Sequence, residues 1–158
     1  MAFSLAENVV GHQALTETST VQNHPVGTIV KGSDPTYGIG EFIYLKGVAS
    51  TVVGDCVVWD NAFATTRSVA ASRGPVGISL SANVANQWGW YQISGLAVAK
   101  AATVASGAAC QTSGTAGTID DTTAVGQFID GMTTKTADGT PSAGFAIVAM
   151  SRPCCTGR

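Results

Sequence analysis

Charge is scarce in this chain. Eight basic and ten acidic residues among 158 make 11% charged and a net charge of −2, where an ordinary soluble domain carries about 25%. The eight Lys and Arg stand singly, which excludes the clustered basic face that phosphate backbones require, so no nucleic-acid partner is expected. Leu and Glu, which favour helix, are also thin, at 5 and 3, a balance that favours strand. No run of 18 apolar residues occurs, so no helical membrane span and no membrane partner are expected. Residues 1–7 (MAFSLAE) lack a basic region followed by an apolar core. A secretion signal is therefore not expected, and synthesis in a cytoplasm is. There are two histidines, His12 and His24, both in the first 24 residues. That leaves the Cys and Ser side chains without an obvious base in the body of the chain. No GxSxG, Walker, HExxH or GxGxxG pattern occurs. Gly38-Ile39-Gly40 is followed by a strand pattern, not a helix. The reading is non-enzymatic, with no cofactor and no metal.

What the chain does have is β-forming sequence. Val, Ile and Thr together number 44 and Gly 19, a composition of pleated strands and tight turns. The expectation is an all-β fold, a small barrel or sandwich built from repeated hairpin units, with an extended N-terminal arm. The repeat is read from Pro25-Val26-Gly27, Pro75-Val76-Gly77 and Val125-Gly126, spaced by about fifty residues. Each is followed by a turn-rich stretch and a strand that starts at a glycine: Gly40-Glu41-Phe42, Gly89-Trp90-Tyr91 and Gly144-Phe145-Ala146. A second internal likeness has another period. Lys46 precedes Cys56 by ten residues, as Lys100 precedes Cys110. Units that cannot bury an apolar face alone must stack on one another.

Three segments follow from the pattern: an extended arm over 1–24, a single β domain over 25–153 and a short tail over 154–158. The arm is polar, with Phe3, Leu5, Val9, Val10, Leu15 and Val21 as its apolar positions, and a neighbouring chain is the expected surface for it to lie on. About ten strands are expected from residue 25 onward, the first at 26–30. In 40–46, Phe42 and Tyr44 share one face while Ile43 and Leu45 share the other. This predicts a central strand covered on both sides. In 87–93, Trp88, Trp90 and Gln92 oppose Tyr91 and Ile93. The alanine-rich run 96–109 reads as strand and turn because of Val98, Thr103, Val104 and its flanking glycines.

Few residues invite chemistry. Cys56 and Cys110 lie in β-like runs and read as buried thiols. Cys154-Cys155 lacks metal-ligand spacing. Asp120-Asp121, with Asp130 near, is the densest acidic group and reads as a solvated turn rather than a cation loop or an acid–base pair. Trp88 and Trp90, with Tyr91, can fill a core, anchor a protein interface or stack on sugars.

The Val-Gly strand openings, the Gly-aromatic strand 40–45, the low-complexity hairpin around 105–119 and the closing strand 144–153 resemble the capsid decoration (cement) proteins of tailed bacteriophages. The resemblance covers about residues 25–153. It implies a β-rich homotrimer on the outer surface of the virion head, clamping neighbouring copies of the major capsid protein, with an N-terminal arm that orders on the capsid. The candidate capsid or subunit interface is then Phe3, Leu5, Val9, Val10, Leu15, Val21, Trp88 and Trp90. The alternatives are a carbohydrate-binding virion or surface module, or another minor virion structural protein.

Overall fold

A computed structural model describes residues 4–5, 13–122, 124 and 126–156. All regular structure among them is strand. In chain order the strands are β1 (Ser4–Leu5), β2 (Thr18–Ser19), β3 (Ile29–Asp34), β4 (Gly38–Lys46), β5 (Cys56–Trp59), β6 (Thr65–Arg67), β7 (Gly74–Ser79), β8 (Trp88–Lys100), β9 (Ala109–Thr112), β10 (Ile119–Asp120), β11 (Phe128–Thr134) and β12 (Phe145–Cys155). The all-β expectation holds, and ten strands do follow residue 25. They form one continuous antiparallel sheet that is not closed into a barrel.

The sheet contains one unit twice. The first unit runs β4-β8-β7-β5-β6 in space, and the second runs β8-β12-β11-β9-β10. Replacing each strand of the first unit by the one four places later in sequence gives the second, so β8 belongs to both. In each unit the outermost strands approach through a single parallel bridge, Lys46–Ala64 in one and Ala101–Ile119 in the other. One bridge curls the sheet without closing it. The Lys46/Lys100 spacing therefore follows the structural period. The Val-Gly spacing does not, because Gly27 and Gly126 are turn residues at positive φ while Gly77 is extended inside β7. Pro25-Val26-Gly27 likewise opens no strand; it forms a turn, and the strand begins at Ile29.

Strand β8 serves both units across an irregularity, a register shift against β4 at Ile93–Ser94. Its odd-numbered residues face the interiors of both units. Tyr91 and Ile93 pack with Ile43, Leu45 and Val57 in the first. Ala97 and Ala99 pack with Cys110, Ile119, Met132, Ala146 and Val148 in the second. At Gly95 the strand leaves β4 and continues along β12. Gly95 sits at φ 91°, and a Cβ there would lie 2.5 Å from the carbonyl oxygen of Ile39, which only glycine avoids. Gln92 secures the passage by donating from Nε2 to the carbonyls of Ser94 and Leu96, at 3.0 and 2.8 Å. Strand β4 is central and buried on both faces, as its pattern predicts.

Two expectations change. The stretch from Arg152 is not a loose tail: β12 runs on to Cys155, pairing Cys154 and Cys155 with Asp130 and Ile129 on one side and with Pro75 and Gly74 on the other. The described part of the N-terminal arm lies on its own chain. Thr18–Ser19 pairs with Gly89 and Trp88, and Ser4–Leu5 pairs with Ser33 and Gly32 of β3.

The units are also joined by a buried charge cluster. Asp55 is fully buried. Its Oδ2 accepts from Arg67 Nε at 2.7 Å and from the Val52 amide at 3.0 Å. Its Oδ1 takes no well-directed hydrogen bond and is compensated by the Lys100 ammonium 3.1 Å away. Arg67 also donates to the Ala116 carbonyl at 2.7 Å, so β6 of the first unit grips the loop before β10 of the second. Removing one member of a buried cluster strands the others. Asp55→Ala is expected to lower stability by about 3 kcal/mol, the low end of the range because both cations keep some solvent contact. A urea titration checks this, and a midpoint equal to wild type would show that the cluster adds nothing.

Candidate interaction surface

The aromatic residues that the sequence singles out are brought together, but inside the molecule. On the outer face of β4 and β8, Tyr44 and Trp90 stand side by side with ring centroids 4.9 Å apart. Both are fully buried, with Leu15, Val30, Phe42 and Leu80 around them and Trp88 packed at the margin. Tyr91 is buried on the opposite face. Neither Trp90 nor Tyr91 can stack on a sugar in this fold. Trp88 is half-buried and Val21 is 66% exposed. Phe3, Val9 and Val10 lie outside the described residues, and so does the side chain of Leu5.

Residues 13–24 form the cover of this face, and Gln13 is its hub. The Gln13 amide group donates to the carbonyls of Glu17 at 2.7 Å and Trp88 at 3.1 Å. Its Oε1 accepts from Tyr44 Oη at 2.9 Å and from Asn23 Nδ2 at 3.1 Å. The Gln13 carbonyl accepts from Trp90 Nε1 at 3.0 Å, so the buried indole is satisfied by the cover itself. The Gln13 amide N–H donates to His24 Nε2 at 3.3 Å, and the His24 ring stands edge-on to Tyr44 with centroids 5.1 Å apart. Burial raises the Tyr44 phenol above its ordinary value, partly offset by the hydrogen bond from Asn23. Gln13 carries no signal in the sequence, because a glutamine in a polar stretch reads as exposed. Leu15, five residues from the nearest other apolar position in that stretch, was the visible cue.

The remaining candidates are structural in their surroundings. Asp120 Oδ1 accepts from the amides of Asp121 and Thr122 at 2.7 and 3.1 Å, closing its own turn. Asp121 Oδ2 accepts from the Ala105 amide at 2.7 Å. No group of three or more His, Cys, Asp or Glu able to hold a metal occurs among the described residues. No helix among them is long and apolar enough to cross a membrane. Comparison with protein-family models, with curated proteins and with solved structures found no match.

All four cysteines are free thiols. Cys56, Cys110 and Cys155 are buried in the interior of the second unit, and Cys154 is half-exposed. Burial pushes Cys56, Cys110 and Cys155 each up to about 12. An unfolded thiol ionises near 9.0. Their contribution to stability is therefore complete below about pH 9 and is lost as the pH rises toward 12. With a disulfide-exchange reagent at pH 8, one thiol, Cys154, should react rapidly in the native protein and the other three only after unfolding. Rapid reaction of two or more native thiols would contradict the buried placement.

Gln13→Ala leaves Tyr44 Oη and the Trp88 carbonyl short of partners. It should cost about 2 kcal/mol and alter the near-ultraviolet circular dichroism of the aromatic cluster. Val21→Ala, at an exposed position of the same cover, should leave both unchanged. Equal thermal melting of all three proteins would deny Gln13 its role.

Proposed function

We infer that this chain is a non-enzymatic structural protein of a virus particle: a decoration protein that binds the outer surface of a tailed-phage head as a homotrimer and clamps neighbouring major capsid subunits. The observation that carries the reading is the surface. It combines very little charge with large apolar residues left in solvent, among them Val21, Ile29, Ile39 and the pair Val52–Val53. A surface of that kind is suited to being covered. The frame behind it is stiff, because every long strand is paired along both edges or held by a neighbouring loop. Stiffness suits a clamp, since little ordering entropy is lost on docking. Threefold symmetry would present each patch three times, so that weak contacts combine into tight attachment.

The test is the oligomeric mass of the full-length protein, alone and with empty heads of a tailed phage that encodes it. The expected outcome is a trimer that co-sediments with heads and raises their melting temperature. A monomer indifferent to heads would overturn the reading. Binding on a glycan array would move the assignment to the carbohydrate-binding alternative.

A further inference from the structure

We propose that the outer face of the β8–β12 ladder is a docking groove for one extended, charge-poor segment of a partner polypeptide, held there as residues 13–24 are held on the first unit. The internal repeat makes the two faces equivalent. In the first unit the outward pairs across the ladder are Phe42–Gln92, Tyr44–Trp90 and Lys46–Trp88. In the second they are Leu96–Ala149, Val98–Ile147 and Lys100–Phe145. The first set lies beneath Leu15 and Gln13. The second set has no such cover among the described residues, and all six side chains are half-buried.

The residue pattern is inverted along β8 and mixed along β12. Ala97 and Ala99 point into the core while Leu96 and Val98 point out; on β12, Ala146, Val148 and Met150 point in while Phe145, Ile147 and Ala149 point out. A strand with one wet face places its larger apolar residues inward. On β8 they face outward, and Phe145 and Ile147 of β12 join them, which suits a second packing surface. The face also continues directly from the covered one, because even-numbered residues of β8 lie on one side from Trp88 to Lys100. Where the cover ends, a groove of about 340 Å³ opens; Thr16, Tyr37 and Leu80 line it together with Val53, Val98 and Phe145, and Pro141 and Ser142 of the loop before β12 line it too. The Phe145 ring lies over Gly54, where a Cβ would be 2.7 Å from it, so the loop before β5 forms a fixed wall.

Charge and area identify the occupant. The single charged side chain on the ladder face, Lys100, is engaged by Asp55. Lys135 lies beyond Ile147 at the rim, so the floor offers an occupant no unpaired charge. Seven paired residues at ~3.3 Å each, across two strands ~4.8 Å apart, give roughly 200–250 Å². A stable globular contact needs about 800 Å² per partner. The face is the size of one extended segment, and a second folded copy of this chain would overhang it. Under the shell-binding reading, on which only the donor's identity rests, the segment belongs to the capsid subunit.

The test uses the full-length protein and a displayed library of random twelve-residue peptides. The expected result is enrichment of peptides with alternating apolar residues and few charges. Their affinity should fall at least tenfold with Val98→Asp and with Ile147→Asp, and be unchanged by Val69→Asp, which alters an exposed apolar residue elsewhere. Val98→Ser, a milder change, should weaken binding in the same direction. Thermal melting confirms that each variant is folded. Enriching no peptide, or peptides whose binding ignores both ladder substitutions, would overturn the groove. So would a wild-type oligomer that dissociates on Val98→Asp, because the occupant would then be a second copy. If heads bind equally well to wild type and Val98→Asp, the groove fails and the shell reading stands. If peptides bind in the groove and heads do not bind, the groove stands and the shell reading fails.

Discussion

The architecture depends on one strand serving two units. Strand β8 is thirteen residues long, and its two halves have different neighbours. The first half is hydrogen-bonded to β4 and β7 and the second to β12. For this to work, the chain must pass from one set of partners to the next without turning its side chains over. A one-residue slip would exchange Tyr91 and Ile93 with Trp90 and Gln92 in the first unit, and Ala97 and Ala99 with Leu96 and Val98 in the second, misfitting both interiors. Gly95 absorbs the bend, Gly40 allows the close approach of β4, and the Gln92 amide fixes the two carbonyls around the bend. The two interiors around this axis differ. The first is filled by a few large side chains, and the second by four alanines among medium-sized residues such as Ile119, Met132 and Val148, with Val76, Ile78 and Cys56 reaching in from the first unit.

Joining the units in this way makes them interdependent. The second interior uses side chains from β5 and β7, and Asp55 gathers cations from β6 and β8. Neither unit is complete without the other, so unfolding should be cooperative over the whole sheet. The segment 13–24 belongs to the same system. It satisfies the Trp90 indole and supplies Leu15 to the outer layer, which makes part of the N-terminal arm a structural member of the domain.

Much of the frame was legible in the sequence. The two-faced alternation of 40–46 and 87–93 gave the central strands and the correct faces, because strand periodicity is local and needs no knowledge of partners. Turn glycines were harder to use. The three evenly spaced Val-Gly steps have two causes, twice a turn and once within a strand, so their spacing imitated a repeat. The true period was carried by Lys46 and Lys100, which mark equivalent strand ends. The sequence alone leaves open whether Trp90 fills a core or an interface, because its cover depends on the N-terminal segment folding back across 77 residues of sequence to reach β8. Asp55 was similarly hidden: an aspartate beside a glycine reads as a turn until Arg67 and Lys100 are brought to it. The outward-facing ladder did leave a signal in 96–99, an alternation of alanine with larger apolar residues. Its meaning depends on knowing which side holds the core.

The shared strand also has a consequence for biosynthesis. When Lys100 leaves the ribosome, every strand of the first unit has been made, and β8 can pair with β4 and β7 over its first half. Its second half then has no β12 to pair with, because that strand begins at Phe145. At about 5–20 residues per second, the unpaired edge persists for roughly 2–9 s on each nascent chain. During that interval Leu96 to Lys100 is an open template for any other extended segment nearby.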